Sequence, residues 1–100
     1  MRALPAWRVT PDGTGIERSF RVKNFSAAAS FVSAAADAAN AAGHHPDLHI
    51  TEYNLVRVVL TTHAAGGVTL ADVALAARLD ALPVPYSPKW LRESGVAGGG

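Results

Sequence analysis

The side chains best suited to acid–base chemistry sit in one short stretch. All four histidines, His44, His45, His49 and His63, fall within 20 positions, and the chain has no cysteine. Imidazole exchanges protons near neutral pH because its ordinary pKa is roughly 6.5, so two or three around one pocket can supply both an acid and a base. The missing cysteine excludes disulfides and thiolate chemistry. Zinc binding is the competing use of clustered histidines. His45 and His49 are four apart and would share a helical face, but Pro46 and the β-prone Leu48-His49-Ile50 oppose a helix there. Asp47 and Glu52 complete no recognisable ligand pattern, so no metal is expected. Structural roles compete as well. His49 alternates with Leu48 and Ile50 and reads as a solvent-facing strand residue. His44 can complement a helix C-terminus, and His63 can be a polar residue at a strand end. Spacing alone leaves a catalytic cluster and separate structural histidines both open.

The elements that must position these residues follow from patterning. A chain of 100 residues is one domain. Its 49% hydrophobic and 17% charged content places it among globular chains. A net charge of +1 offers no basic footprint for nucleic acid. No apolar run has membrane-spanning length, and the stretch Met1 to Trp7 shows no signal-peptide core, so a soluble cytoplasmic protein is expected. Trp7 to Thr10 is β-prone, Pro11 to Gly15 is a turn, and Ile16 to Val22 alternates, with Ile16, Phe20 and Val22 on one face and Arg18 interrupting it. This predicts a hairpin. Trp7 fits a core position at the strand start.

From Phe25 the period becomes helical. Phe25, Ala28, Val32, Ala35, Ala39 and Ala42 form a stripe, Asn24 or Ser26 caps its start, and Gly43 ends it. Leu48 to Thr51 reads as a short strand and Asn54 to His63 as a longer one, with His63 on its non-core side. Thr69-Leu70-Ala71-Asp72 fits a capping box, which by itself accounts for Asp72. The second helix is expected to run to about Leu82, where Pro83 and Pro85 stop it. The order β-β-α-β-β-α predicts an α+β fold, a four-stranded antiparallel sheet with the helices packed on one face. Beyond Pro83 an irregular tail is expected, with Gly98 to Gly100 frayed.

Several spaced elements coincide with a known signature. Gly43-His44-His45-Pro46-Asp47, Tyr53-Asn54, Thr62-His63 before the Gly66-Gly67 turn, and Asp72 nine residues beyond His63 resemble the pterin-4a-carbinolamine dehydratases. Trp7, Phe20 and Asn24-Phe25 extend the resemblance, which covers Trp7 to Leu82. It implies a dehydratase-like domain over residues 1–82, a Pro-containing tail over 83–100, and a homodimer or homotetramer. It further implies dehydration of 4a-hydroxytetrahydropterin to quinonoid dihydropterin without metal or cofactor. His44 and His63 would be catalytic, with His45, Pro46, Thr62, Asp72 and Trp7 binding the pterin substrate.

The chain departs from the family pattern at Asn40, Gly43 and Ala64, where acidic or polar residues are usual, so weak activity is expected. The family also includes proteins that assist Rubisco assembly in carboxysomes and others that stabilise a transcription factor's dimer. A protein-binding role is therefore the alternative, with Tyr86 and Trp90 of the tail as its expected contact surface.

Overall fold

The computed structural model describes residues 4–94. The chain runs β1 (Arg8–Val9), β2 (Ile16–Arg21), α1 (Phe25–Ala42), β3 (Asp47–Thr51), β4 (Leu55–Leu60), a 3₁₀ turn (His63–Ala65), α2 (Leu70–Asp80) and α3 (Pro88–Ser94). The strands form one antiparallel sheet in the order β1-β2-β4-β3. The expected α+β order is present, and α3 is added to it. Among the described residues no helix is long and apolar enough to cross a membrane.

Alternation sets the two sheet faces. Ile16, Phe20 and Val22 of the β2 segment and Val56, Val58 and Leu60 of β4 are buried together with Ala28, Phe31, Ala35 and Ala39 of α1 and Leu75, Ala76 and Leu79 of α2. Alanines along α1 let its backbone lie close to the sheet, and Phe31 fills the space between, meeting Phe20 edge to face at 5.0 Å. Here the observed stripe differs from the expected one. Ala28, Ala35 and Ala39 are buried as expected, but Phe31 is buried where Val32 was expected, Val32 is half-buried and Phe25 is 58% exposed. Both stripes satisfy three- and four-residue steps, and apolar area decides between them. The Asn24 side chain accepts the Ala27 N–H at 2.8 Å and so caps α1.

Two readings of the strands and tail are corrected. β4 ends at Leu60, and His63 begins a 3₁₀ turn in place of closing a long strand. After Pro83 the chain is not simply irregular. Tyr86 bridges Val22, the Lys23 N–H donates to the Pro85 carbonyl and the Ser87 N–H to the Arg21 carbonyl, so the segment continues the sheet edge beside β2. Ser87 then caps α3 through its hydroxyl at 3.3 Å from the Trp90 N–H, with Pro88 at the first helical position. Gly98 to Gly100 lie outside the described residues.

This segment resolves the anomaly of Arg18 on the apolar face. Its guanidinium lies over the Phe20 ring at 4.7 Å, donates to Asp80 Oδ1 at 2.9 Å and reaches the Tyr86 hydroxyl. Asp80 Oδ1 also accepts the Trp7 indole N–H at 2.9 Å. A buried charge is tolerated only when paired and hydrogen-bonded. Asp80→Ala is therefore expected to destabilise the protein by about 2–4 kcal/mol, because it strands both the Arg18 charge and the Trp7 donor. Asp80→Asn, which keeps an acceptor, should lose less. Urea unfolding measures both, and equal stability of Asp80→Ala and the wild type would contradict the pairing.

Candidate active site

Asp72 joins three segments that are far apart in sequence. It occupies the first turn of α2, is fully buried, and completes the capping box by accepting the Thr69 N–H on Oδ2 at 2.8 Å. The same oxygen accepts the Thr62 hydroxyl at 2.8 Å, while Oδ1 lies 2.5 Å from His44 Nε2. Thr62 spends its proton on Asp72, so the 2.8 Å contact between the Thr62 and Thr69 hydroxyls is donated by Thr69. Burial works against ionisation of Asp72, but the hydrogen bonds from His44, the Thr69 amide and Thr62 outweigh it and hold the carboxyl below its ordinary value.

Local backbone chemistry delivers each partner. Gly43 leaves α1 at φ 65°, a left-handed conformation that suits glycine, and the His44 N–H turns back onto the Ala39 carbonyl at 3.2 Å. His44 is thereby fixed against the helix end with its side chain 19% exposed. Thr62 pairs with Gly67 across the next turn, its N–H donating to the Gly67 carbonyl at 2.9 Å, and Gly66 at φ 72° closes that turn. His63 is the first residue inside this closed loop and is exposed. An ionised carboxylate only accepts, so His44 donates from Nε2 to Asp72, and Nδ1 is the ring nitrogen not committed to the carboxylate.

The remaining candidates occupy different positions. His45 is exposed, 3.3 Å from the Asn40 carboxamide oxygen, and Pro46 beside it is half-buried. His49 is exposed on edge strand β3 opposite Arg57, on the sheet face away from the helices, as the alternation predicts. A depression of about 310 Å³ holds His44 between Ala41 and Ala42 of α1 and Ala71, Ala74 and Arg78 of α2; His45 and His63 lie outside it.

Two of the residues expected to bind substrate are buried. Asp72 is sealed from solvent, and His44 is the partly exposed side chain bonded to it. Trp7 is 3% exposed with its indole N–H on Asp80, eight residues or about 12 Å along α2 from Asp72, so it belongs to the core at the opposite end of that helix. Sequence reasoning undervalued Thr69, whose amide and hydroxyl complete the Asp72 environment; the capping box was the available signal.

This α+β domain, with His44 beyond its first helix bonded to a buried aspartate, matches a known family over most of its length. The pterin 4 alpha carbinolamine dehydratase family model matches residues 1–82. The chain belongs to this family. A Gloeobacter violaceus protein that carries the family's name is 49% identical over 81 residues, covering 79% of this chain and 87% of the relative. The crystal structure of a transcriptional coactivator/pterin dehydratase from Brucella melitensis is 40% identical with a TM-score of 0.74, covering 80% and 84% of the two chains. A pterin dehydratase-like protein identified as a RuBisCO assembly factor in the alpha-carboxysome shares the fold at a TM-score of 0.62 and 23% identity, over 76% of this chain and 87% of that one.

The Asp72 network has a pH signature. A carboxyl whose folded pKa lies below its ordinary value of 3.8 contributes stability that is full above that value and is lost as pH falls through the lowered folded value. Asp72→Asn is expected to cost about 1–3 kcal/mol at pH 7, with the gap from wild type closing as pH drops below about 4. Urea unfolding between pH 7 and pH 3 measures it. A gap independent of pH would show that the ionised carboxylate is not the stabilising species.

Proposed function

We propose that this protein dehydrates 4a-hydroxytetrahydropterin to quinonoid dihydropterin, with His44 and His63 exchanging protons and His45 orienting the pterin. The observation that carries this reading is the bond from Asp72 to His44 at 2.5 Å, with Thr62, the neighbour of His63, on the same carboxylate. One buried group thus supports both segments that bear the proposed acid and base.

The chemistry asks for little more. Loss of water requires a proton delivered to the leaving 4a-hydroxyl and another withdrawn from a ring nitrogen, so the protons balance and no electrons are exchanged. With Nε2–H committed to Asp72, His44 uses Nδ1 for one transfer, and the exposed His63 imidazole is free for the other. Asn40, in the position where the family usually has an acid, gives His45 a neutral partner, which favours a modest rate over a high one. A symmetric homodimer or homotetramer fits the outer edge of β3, which no strand covers among the described residues.

The assembly-factor alternative draws less support. Its structural relative is similar in fold only, and Tyr86, one of the two aromatic residues expected to face a partner, packs on Phe20 with its hydroxyl on Arg18.

The test is the dehydration rate of 4a-hydroxytetrahydropterin with wild type, His44→Ala, His63→Ala and His49→Ala. The first two substitutions are expected to lower the rate by on the order of 10²–10⁴-fold, with the fold retained by circular dichroism, and His49→Ala to leave it unchanged. A wild-type rate no faster than the spontaneous reaction would overturn the proposal.

A further inference from the structure

A second concavity, of about 390 Å³, lies where Pro5, the β2 residues Arg18, Ser19 and Phe20, and Tyr86 and Trp90 of the C-terminal segment meet. It is at the Asp80 end of α2, away from the histidines. The family match ends at residue 82, so Tyr86 and Trp90 are walls contributed from outside the matched region. The volume is within the range of small-molecule sites.

Its lining specifies a ligand chemistry. Tyr86 and Trp90 stack with centroids 5.6 Å apart and planes 13° apart, and Phe20 meets Tyr86 edge to face at 5.7 Å. Flat aromatic walls suit a flat ring. Arg18 is already neutralised by Asp80 at 2.9 Å, so the site does not call for an anion.

The β2 edge adds a polar element. Arg8 of β1 stands opposite Glu17, and the Arg21 carbonyl accepts the Ser87 N–H. Backbone groups of alternate residues point to the same side of a strand, so the N–H and C=O of Ser19 face the interval between these two pairings. Ser19 is exposed and its backbone meets no loop partner among the described residues. Glu17 to Arg21 spans about 13 Å at the strand rise. With both ends already paired, the interval is too short for an added strand but accommodates one ring.

We propose that this cavity binds a neutral, flat heteroaromatic molecule carrying a ring amide, with its ring against the half-buried Tyr86 and Trp90 and its adjacent N–H and C=O on the backbone of Ser19. The proposal stands independently of the dehydratase reading.

The probe is 2-quinolone, a bicyclic ring amide, and the control is N-methyl-2-quinolone, which lacks the donor. Both are titrated into the full chain and followed by amide and indole NMR signals. 2-Quinolone is expected to shift the Ser19 amide and the Trp90 indole, and the N-methyl compound to bind about tenfold more weakly, the loss expected when a buried acceptor goes unpaired. Ser19→Pro removes the N–H at an open-edge position where proline is tolerated, and should weaken 2-quinolone to a similar degree. The comparison of the two compounds uses only the native chain, so a variant that fails to fold leaves the test intact. Equal binding of the two compounds, shifts centred on His44, Thr62 and Asp72, or no shift up to the solubility limit would each overturn the proposal.

Discussion

The structure around the candidate site depends on one constraint: a carboxylate removed from solvent must have its lone pairs satisfied. Asp72 meets it with donors from three places, the His44 imidazole at the end of α1, the Thr62 hydroxyl after β4 and the Thr69 amide at the start of α2. Satisfying the carboxylate therefore fixes the relative placement of both segments that carry the proposed proton-exchanging histidines. It also fixes which nitrogen of His44 remains available.

Helix α2 repeats the device at its other end. Asp80 gathers Arg18 from β2 and Trp7 from the start of the domain, and Arg18 in turn reaches Tyr86 of the C-terminal segment. The two carboxylates tie the same helix to opposite ends of the fold, one toward the histidines and one toward the aromatic cavity. The apolar face between them, Leu75, Ala76 and Leu79, is wholly buried. That arrangement explains how a 100-residue chain carrying an arginine on its apolar sheet face keeps that charge paired.

Much of the frame was legible because local signals agreed. Alternation located β2 and β4, Asn24 and Gly43 marked the ends of α1, and the Thr69-to-Asp72 spacing marked the start of α2. The errors arose where distant residues overrode local preference. Thr61-Thr62-His63 continues a β-prone run, but Thr62 is drawn to Asp72 and Gly66 closes the turn, so β4 stops at Leu60. Phe31 takes the place of Val32 in the α1 stripe by packing its ring edge to face on Phe20, which periodicity cannot reveal. Ser87-Pro88 is a helix-start signal that the preceding prolines obscured. In the site, the histidines came from the family resemblance and the hub role of Asp72 from coordinates, since a capping box and a buried histidine support share the same residue. Trp7 lies in the core, as its place at the strand start predicts, while the end of α2 that it meets is set by tertiary packing.

The central claim is that His44 and Thr62 are coupled through Asp72, although they lie 18 positions apart in sequence. A double-mutant cycle of His44→Ala and Thr62→Val, read by urea unfolding at pH 7 in the wild-type and Asp72→Asn backgrounds, measures that coupling directly. The account predicts an interaction energy of roughly 1 kcal/mol or more in the wild type that collapses in Asp72→Asn. Additive losses in the wild-type background would contradict it.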